Sequence, residues 1–215
     1  MQPATDSRQA NEMAAIKPTF EIENSFTGIV AGIDEAGRGP WAGPVVAAAV
    51  ILDPHNIPQG LADSKTITEK RRDVIARAIR ETSLFGVGIA TVEEIDEINI
   101  LQATFLAMAR AEAALSKAPD ICIVDGSAKP TLRAATHMIV KGDAKSLSIA
   151  AASIIAKTTR DQMMRDLAAE HPFYAWEKNK GYGAPAHRAG LNAHGVTPHH
   201  RKSFAPIHNM LCTDS

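Results

Sequence analysis

Cysteine is scarce in this chain and poorly placed for bonding. Only Cys122, inside an apolar run, and Cys212, near the C-terminus, occur among 215 residues, with no C-x-x-C pair. Disulfide scaffolds and thiolate zinc sites are therefore not expected. With no secretory segment ahead of these cysteines, a reducing cytoplasm is the expected compartment. Long apolar runs are missing too. VVAAAVIL at 45–52 is closed by Asp53-Pro54, well short of the roughly 20 residues that cross a bilayer, so no membrane partner is expected. Nor is there an excess of charge of either sign: 23 Lys and Arg stand against 24 Asp and Glu, for a formal net charge of −1. That balance argues against a protein that coats nucleic acid through global charge, and a polyanion would have to meet a local basic surface. EKRRDVIARAIR at 69–80 is one such stretch, and the run carrying Lys178, Lys180, Arg188, Arg201 and Lys202 is another; each also reads as a solvated face.

What is present is the composition of an ordinary globular domain, 45% hydrophobic and 22% charged. Residues 1–26 are polar, lack a sustained period and contain Pro3 and Pro18, so they read as a mobile extension ahead of a domain over 27–215. Five short apolar runs read as strands: GIVAGID from Gly28, VVAAAVIL, LFGVGIATV at 84–92, ICIVD at 121–125 and THMIV at 136–140. Helical spacing appears over 66–82 and over 93–117, the latter with a break near Asn99, and again over 146–171, which opens on Ser146 as N-cap and is rich in small residues suited to close packing. A Gly/Pro/His-rich tail follows. The order gives an α/β domain with a mixed sheet.

Chemistry concentrates at the strand ends. Asp34 and Glu35 close the first apolar run, and AGRG follows directly. Adjacent acids at a buried strand end are costly without a compensating cation. Strand alternation separates their side chains unless the strand stops there, and the glycines supply such a stop. Taken alone, the pair reads equally as an exposed acidic turn. Asp125 repeats the pattern as the last residue of ICIVD before Gly126, where an acid is also a common turn signal. Asp143 follows THMIV and Lys141-Gly142, and by itself reads as a helix N-terminal acid. As a set, three strands deliver acids at their C-terminal ends, the edge where α/β sheets bind ligands. Such oxygen ligands suit Mg2+ or Mn2+, and two such ions can support in-line phosphoryl displacement.

The blocks GIDEAGRGPWAGPVVAAAVIL, LADSK, IVDG, KGDAKSLSIAAASIIAKTTRD and KGYGAPAHRAGL, in this order from about Gly28 to Pro206, strongly resemble bacterial ribonuclease HII. The resemblance implies a ribonuclease-H-like fold, with a five-stranded mixed sheet flanked by helices and a helical C-terminal portion over about 172–215 that helps hold the substrate. It implies a metal site on Asp34, Glu35, Asp125 and Asp143, loaded with Mn2+ or Mg2+. It further implies that Gly37, Arg38 and Gly39 contact the ribonucleotide at an RNA-to-DNA junction, that Tyr182 stacks on the neighbouring sugar, and that Lys65 lies near phosphate. The implied substrates are RNA/DNA hybrids and DNA duplexes containing ribonucleotides. The implied roles are removal of ribonucleotides and RNA primers during DNA replication and repair. Two positions depart from the family: Ala144 stands where serine is common and Ala184 where threonine is common, which bears on the surroundings of Asp143 and Tyr182. Nothing signals oligomerisation, and a monomer is expected.

Competing readings find little support. His187, His194, His199 and His200 show no H-x-x-x-H spacing with an acid, so His199-His200 read as part of the basic tail. GRGPWAG lacks the Walker lysine-Ser/Thr ending, and its third glycine is misplaced for the dinucleotide fingerprint. No G-x-S-x-G supports a serine hydrolase.

Overall fold

The apolar runs become one five-stranded sheet. A computed structural model of the chain describes residues 17–62, 64 and 66–213. In order, these form α1 (Glu21–Asn24), β1 (Val30–Ala36), β2 (Val45–Ile51), α2 (Glu69–Thr82), β3 (Leu84–Ala90), α3 (Val92–Ala113), β4 (Ile121–Asp125) and β5 (Ala135–Ile139). A 3-10 turn at Gly142–Ala144 leads into α4 (Leu147–Glu170), and α5 (Trp176–Asn179), α6 (Pro185–His194) and α7 (Ala205–Thr213) form the helical tail. The sheet order is β3-β2-β1-β4-β5. β1 runs antiparallel to β2, and β2 to β3, whereas β1 with β4 and β4 with β5 are parallel. Among the described residues no helix is long and apolar enough to cross a membrane.

Small side chains explain how tightly the layers pack. β2 has no polar residue and is buried on both faces: Ala47 and Ala49 meet Ala103, Ala107 and Ala111 of α3, while Ala48 and Val50 meet the alanine-rich face of α4. At Gly32 of β1 the backbone of α4 comes so near that a Cβ would lie 2.2 Å from the Ser148 carbonyl carbon. α3 is capped at Thr91 by a reciprocal pair with Glu94 and breaks at Asn99, whose positive φ of 67° interrupts the helix and whose side chain then accepts from Leu101 and Gln102 N–H. α2 starts at Glu69, later than the sequence pattern suggests, because the Arg72 guanidinium takes the carbonyls of Ser64 and Ile67 and holds the preceding segment as a turn.

Of the extension expected over 1–26, the described residues 17–26 fold against the domain. Residues 1–16 lie outside the described residues, but Thr19 pairs with the chain entering α4, and Phe20 packs on the core. Glu23, 3% exposed, accepts hydrogen bonds from Ser146 Oγ (2.6 Å) and Ser148 N–H (2.8 Å). A carboxylate here meets the positive end of the α4 dipole and occupies an otherwise orphaned N–H. A four-residue helix has no period to read, which hides it in the sequence. Glu23→Ala should lower stability by about 1–3 kcal/mol, the cost of stranding buried donors. Urea unfolding measures it, and an unchanged midpoint would show that the segment is dispensable.

Candidate active site

Parallel pairing brings the acids together. The β1–β4 register ends at Ile33 opposite Val124, so Asp34 and Asp125 are the next residues along two neighbouring parallel strands. β5 runs alongside β4, and the chain leaving it turns at Lys141, in left-handed conformation (φ 56°), to set Asp143 into the 3-10 turn. Gly142 N–H donates to Asp125 Oδ1 at 2.6 Å, which fastens that turn over the end of β4. Carboxylate oxygens of Asp34, Asp125 and Asp143 thereby lie within 4.8 Å of one another, with Asp34 and Asp143 buried.

Glu35 behaves differently. The strand was expected to stop directly after it, but β1 continues through Ala36 and the turn begins at Gly37. Alternation therefore still holds at Glu35, whose carboxylate pairs with Arg38 at 3.5 Å and borders the same cavity without joining the three-acid cluster. Burial, reinforced by the Glu35 and Asp125 charges, pushes the Asp34 carboxyl well above its ordinary value of 3.8, against hydrogen bonds from Ser153 and the Glu35 N–H that favour the ionised form. A divalent cation reverses that balance. The donor set, all hard oxygens at a cavity of about 320 Å³, fits one.

The loop after β1 is held by two buried arginines. Gly37 has φ 102°, and a Cβ there would strike Arg160 Nε at 2.0 Å, so glycine is required both by conformation and by space. Arg160 donates to the carbonyls of Ala42, Pro44 and Lys180. Arg201, 0% exposed, donates to those of Gly37, Arg38, Pro40, Gly43 and Pro44. Burial lowers both guanidinium pKa values, to about 10 for Arg160 and about 9 for Arg201, and both remain cations at neutral pH. The Lys180 carbonyl bond and a Trp41 N–H bond to the Gly181 carbonyl tie this loop to the segment carrying Tyr182. The Tyr182 ring, 51% exposed, lies beside Gly39, where a Cβ would sit 3.4 Å from its Cε1.

Behind Tyr182 is a chain of neutral imidazoles. Trp176 Nε1 donates to His187 Nε2, so His200 Nε2, 3.0 Å from the same atom, must be the donor between the rings. His200 Nδ1 then accepts from Thr197 N–H, and His187 Nδ1 donates to the Tyr182 carbonyl. Burial, then the neighbouring His187, lowers the His200 pKa to about 3. The basic-tail reading is thus corrected. His200, Arg201 and Lys180 are buried, and Lys178, Arg188 and Lys202 are the cations of that run left at the surface. In the other basic stretch Arg72 is buried, 3.7 Å from Asp161.

The cavity also has walls that were not singled out from sequence: Ser64, Ser153, Lys157 and Arg160. Ser64 and Ser153 hydroxyls meet at 2.9 Å, and Lys157 Nζ donates to Asp161 at 2.6 Å. Their signal is a polar stripe at helical spacing, Ser153, Lys157, Arg160, within an otherwise apolar half of α4. Arg201 carries no comparable local signal. Lys65 lies outside the described residues.

Because folding raises the Asp34 pKa, the metal-free folded state is favoured at low pH, and that advantage is lost as pH rises from the ordinary carboxylate range through the raised value. In chelator, Asp34→Asn should therefore stabilise the chain at pH 8, and do so progressively less as the pH falls into the ordinary carboxylate range. The gain should vanish below about pH 4. Urea denaturation at both pH values checks this, and a destabilised variant at pH 8 would mean that Asp34 is comfortably ionised.

The family model described as Ribonuclease HII matches residues 31–207. The chain is 55% identical to "Ribonuclease HII" of Jannaschia sp. (strain CCS1) over 196 residues, covering 91% of this chain and 98% of that protein. It is also 55% identical to the protein of the same name from Paracoccus denitrificans (strain Pd 1222) over 202 residues, covering 92% and 96% of the two. Among solved structures, the ribonuclease H2 from Pyrococcus horikoshii OT3 superposes with TM-score 0.71 at 27% identity, covering 84% of this chain and 96% of that one. The three-acid edge of the sheet thus stands in a chain that belongs to the ribonuclease HII family and is a ribonuclease H.

Proposed function

We propose that this chain hydrolyses the RNA strand of RNA/DNA hybrids and nicks duplex DNA on the 5′ side of an embedded ribonucleotide. The observation that carries the reading is the convergence of the Asp34, Asp125 and Asp143 carboxylates, the first two lining one cavity with a glycine loop and an exposed tyrosine. Asp34, Asp125 and Asp143, with Glu35 at the rim, would hold two divalent ions, Mg2+ or Mn2+. Bound there, such ions supply an activated water and charge stabilisation for the leaving oxygen. Water oxygen bonds to phosphorus as the P–O3′ bond breaks, leaving a 3′-OH and a 5′-phosphate.

The protein's own part is positioning and recognition. Gly37 and Gly39 present bare backbone to the sugar, and the 2′-OH, donor and acceptor at once, is the group that separates RNA from DNA. The exposed face of Tyr182 suits stacking on the adjacent sugar, with its backbone braced from behind by His187. Arg38, half-exposed and loosely paired with Glu35, is placed to exchange that partner for a phosphate. Lys65 is assigned a phosphate contact by family resemblance. With a net charge near zero, the polyanion meets local cations: Arg77, Arg80 and Arg165 between α2 and α4, and Lys178, Arg188 and Lys202 on the tail. The reading places the enzyme in the cytoplasm, acting in ribonucleotide and primer removal.

The test is cleavage of a DNA duplex with one ribonucleotide, beside a long hybrid, in Mg2+, Mn2+ or chelator. The expected result is a metal-dependent nick 5′ to the ribonucleotide, abolished by Asp34→Asn or Asp125→Asn with hybrid binding retained. Cutting the long hybrid alone would overturn the junction reading, and unimpaired turnover in both variants would overturn the site. Arg38→Ala and Tyr182→Ala should each reduce the preference for a ribonucleotide at the junction by roughly tenfold, the scale of one contact worth about 1.4 kcal/mol.

A further inference from the structure

A second set of converging ligands lies far from the acids. α4 runs from Ser153, at the catalytic cavity, to Glu170 at its C-terminal end, a rise of about 25 Å at 1.5 Å per residue. There Glu170, His171 and His199 each turn one ligand atom into a space where all three atoms lie within 4.8 Å of one another. Sequence spacing could not reveal the set, because His199 arrives from the loop beyond α6.

The two imidazoles are held in place. Their ring centroids are 5.0 Å apart at 63°, and both rings pack edge-on against the fully buried Trp176, at 5.7 and 6.2 Å. The His171 N–H donates to the Leu167 carbonyl, and the His199 carbonyl accepts from Gly43 N–H. The three donor atoms share one space, at separations of up to 4.8 Å. Glu170 is exposed and can swing in to shorten the last gap. Glu93 at the start of α3 borders the same cleft as Glu170 and His199. The C-terminal carbonyls of α4 add the negative end of a helix dipole, which favours a cation.

We propose that Glu170, His171 and His199 form a binding site for a zinc-class divalent ion, chemically distinct from the Mg2+ or Mn2+ of the acid cluster. Two imidazoles and one carboxylate suit Zn2+ or Co2+, with a fourth position open to water or Glu93, and they disfavour the hard ions that prefer oxygen alone. Bound there, the ion staples the end of α4 to the segment that leads directly into His200 and Arg201, and so stiffens the support of the active-site loop.

The experiment uses the full chain carrying Asp34→Asn and Asp125→Asn, so that the acid cluster does not compete, stripped with chelator and titrated with Zn2+ and with Co2+ in excess Mg2+. One equivalent of each should bind, Co2+ with visible d–d absorption and Zn2+ with a rise in Tm. His171→Ala and His199→Ala should each weaken binding at least about tenfold, a loss of about 1.4 kcal/mol. Glu170→Gln, at an exposed position that leaves the fold intact, should also weaken it. Overturning results would be no Zn2+ or Co2+ bound with Kd below roughly 100 µM, or affinity and Co2+ spectrum unchanged in both His199→Ala and Glu170→Gln.

Discussion

The parallel pairing of β1 with β4 is the constraint on which the rest of the molecule depends. Because the strands run the same way in register, the chain must place Asp34 and Asp125 side by side at one edge of the sheet, inside a protein whose interior opposes charge. The Asp34 carboxyl accordingly resists ionisation, and the surrounding hydrogen bonds, from Ser153 and from the Glu35 N–H, offset only part of the cost. The fold thus holds carboxylates in a strained electrostatic balance that a divalent cation, bound between them, would relieve.

A second organising feature is the use of buried cations as scaffold. Arg160 and Arg201 bind carbonyl oxygens of the 37–44 loop, not carboxylates, so each guanidinium acts as a rigid multi-armed donor that fixes a glycine-rich turn. Glycine at 37 and arginine at 160 are mutually dependent, since any side chain at the first would displace the second. The helical tail serves the same end. It supplies Arg201 to the loop, His187 to the Tyr182 carbonyl and Gly181 to Trp41, and so supports the candidate site although it contributes few exposed charges.

Much was legible in the chain itself. The five strands, the break at Asn99 and the Ser146 cap follow from local pattern, which is decided by alternation, helical period and single-residue hydrogen bonding. Acids at the ends of apolar runs were likewise visible, because nothing but a turn or a cation accounts for them. Four features escaped, three because long-range contact decides them and one, Glu35, because the strand ends a residue later than its pattern suggests. Glu23 is bound by atoms more than a hundred residues away. Arg201 and His200 look like surface charge until the loop from Gly37 to Pro44 closes over them. Glu35 sits in the right dipeptide, yet the extra residue of strand after it turns its carboxylate toward Arg38. His171 and His199 meet only once the tail folds back on the end of α4.

The sequence by itself therefore determined which residues form the sheet and which acids end its strands, since both are consequences of periodicity and of the cost of burying charge. Only the tertiary structure decided which acids share one space, which cations are scaffold and which remain for a polyanion. Strand register and helix packing set distances between atoms that the chain order leaves free, and electrostatics acts on those distances.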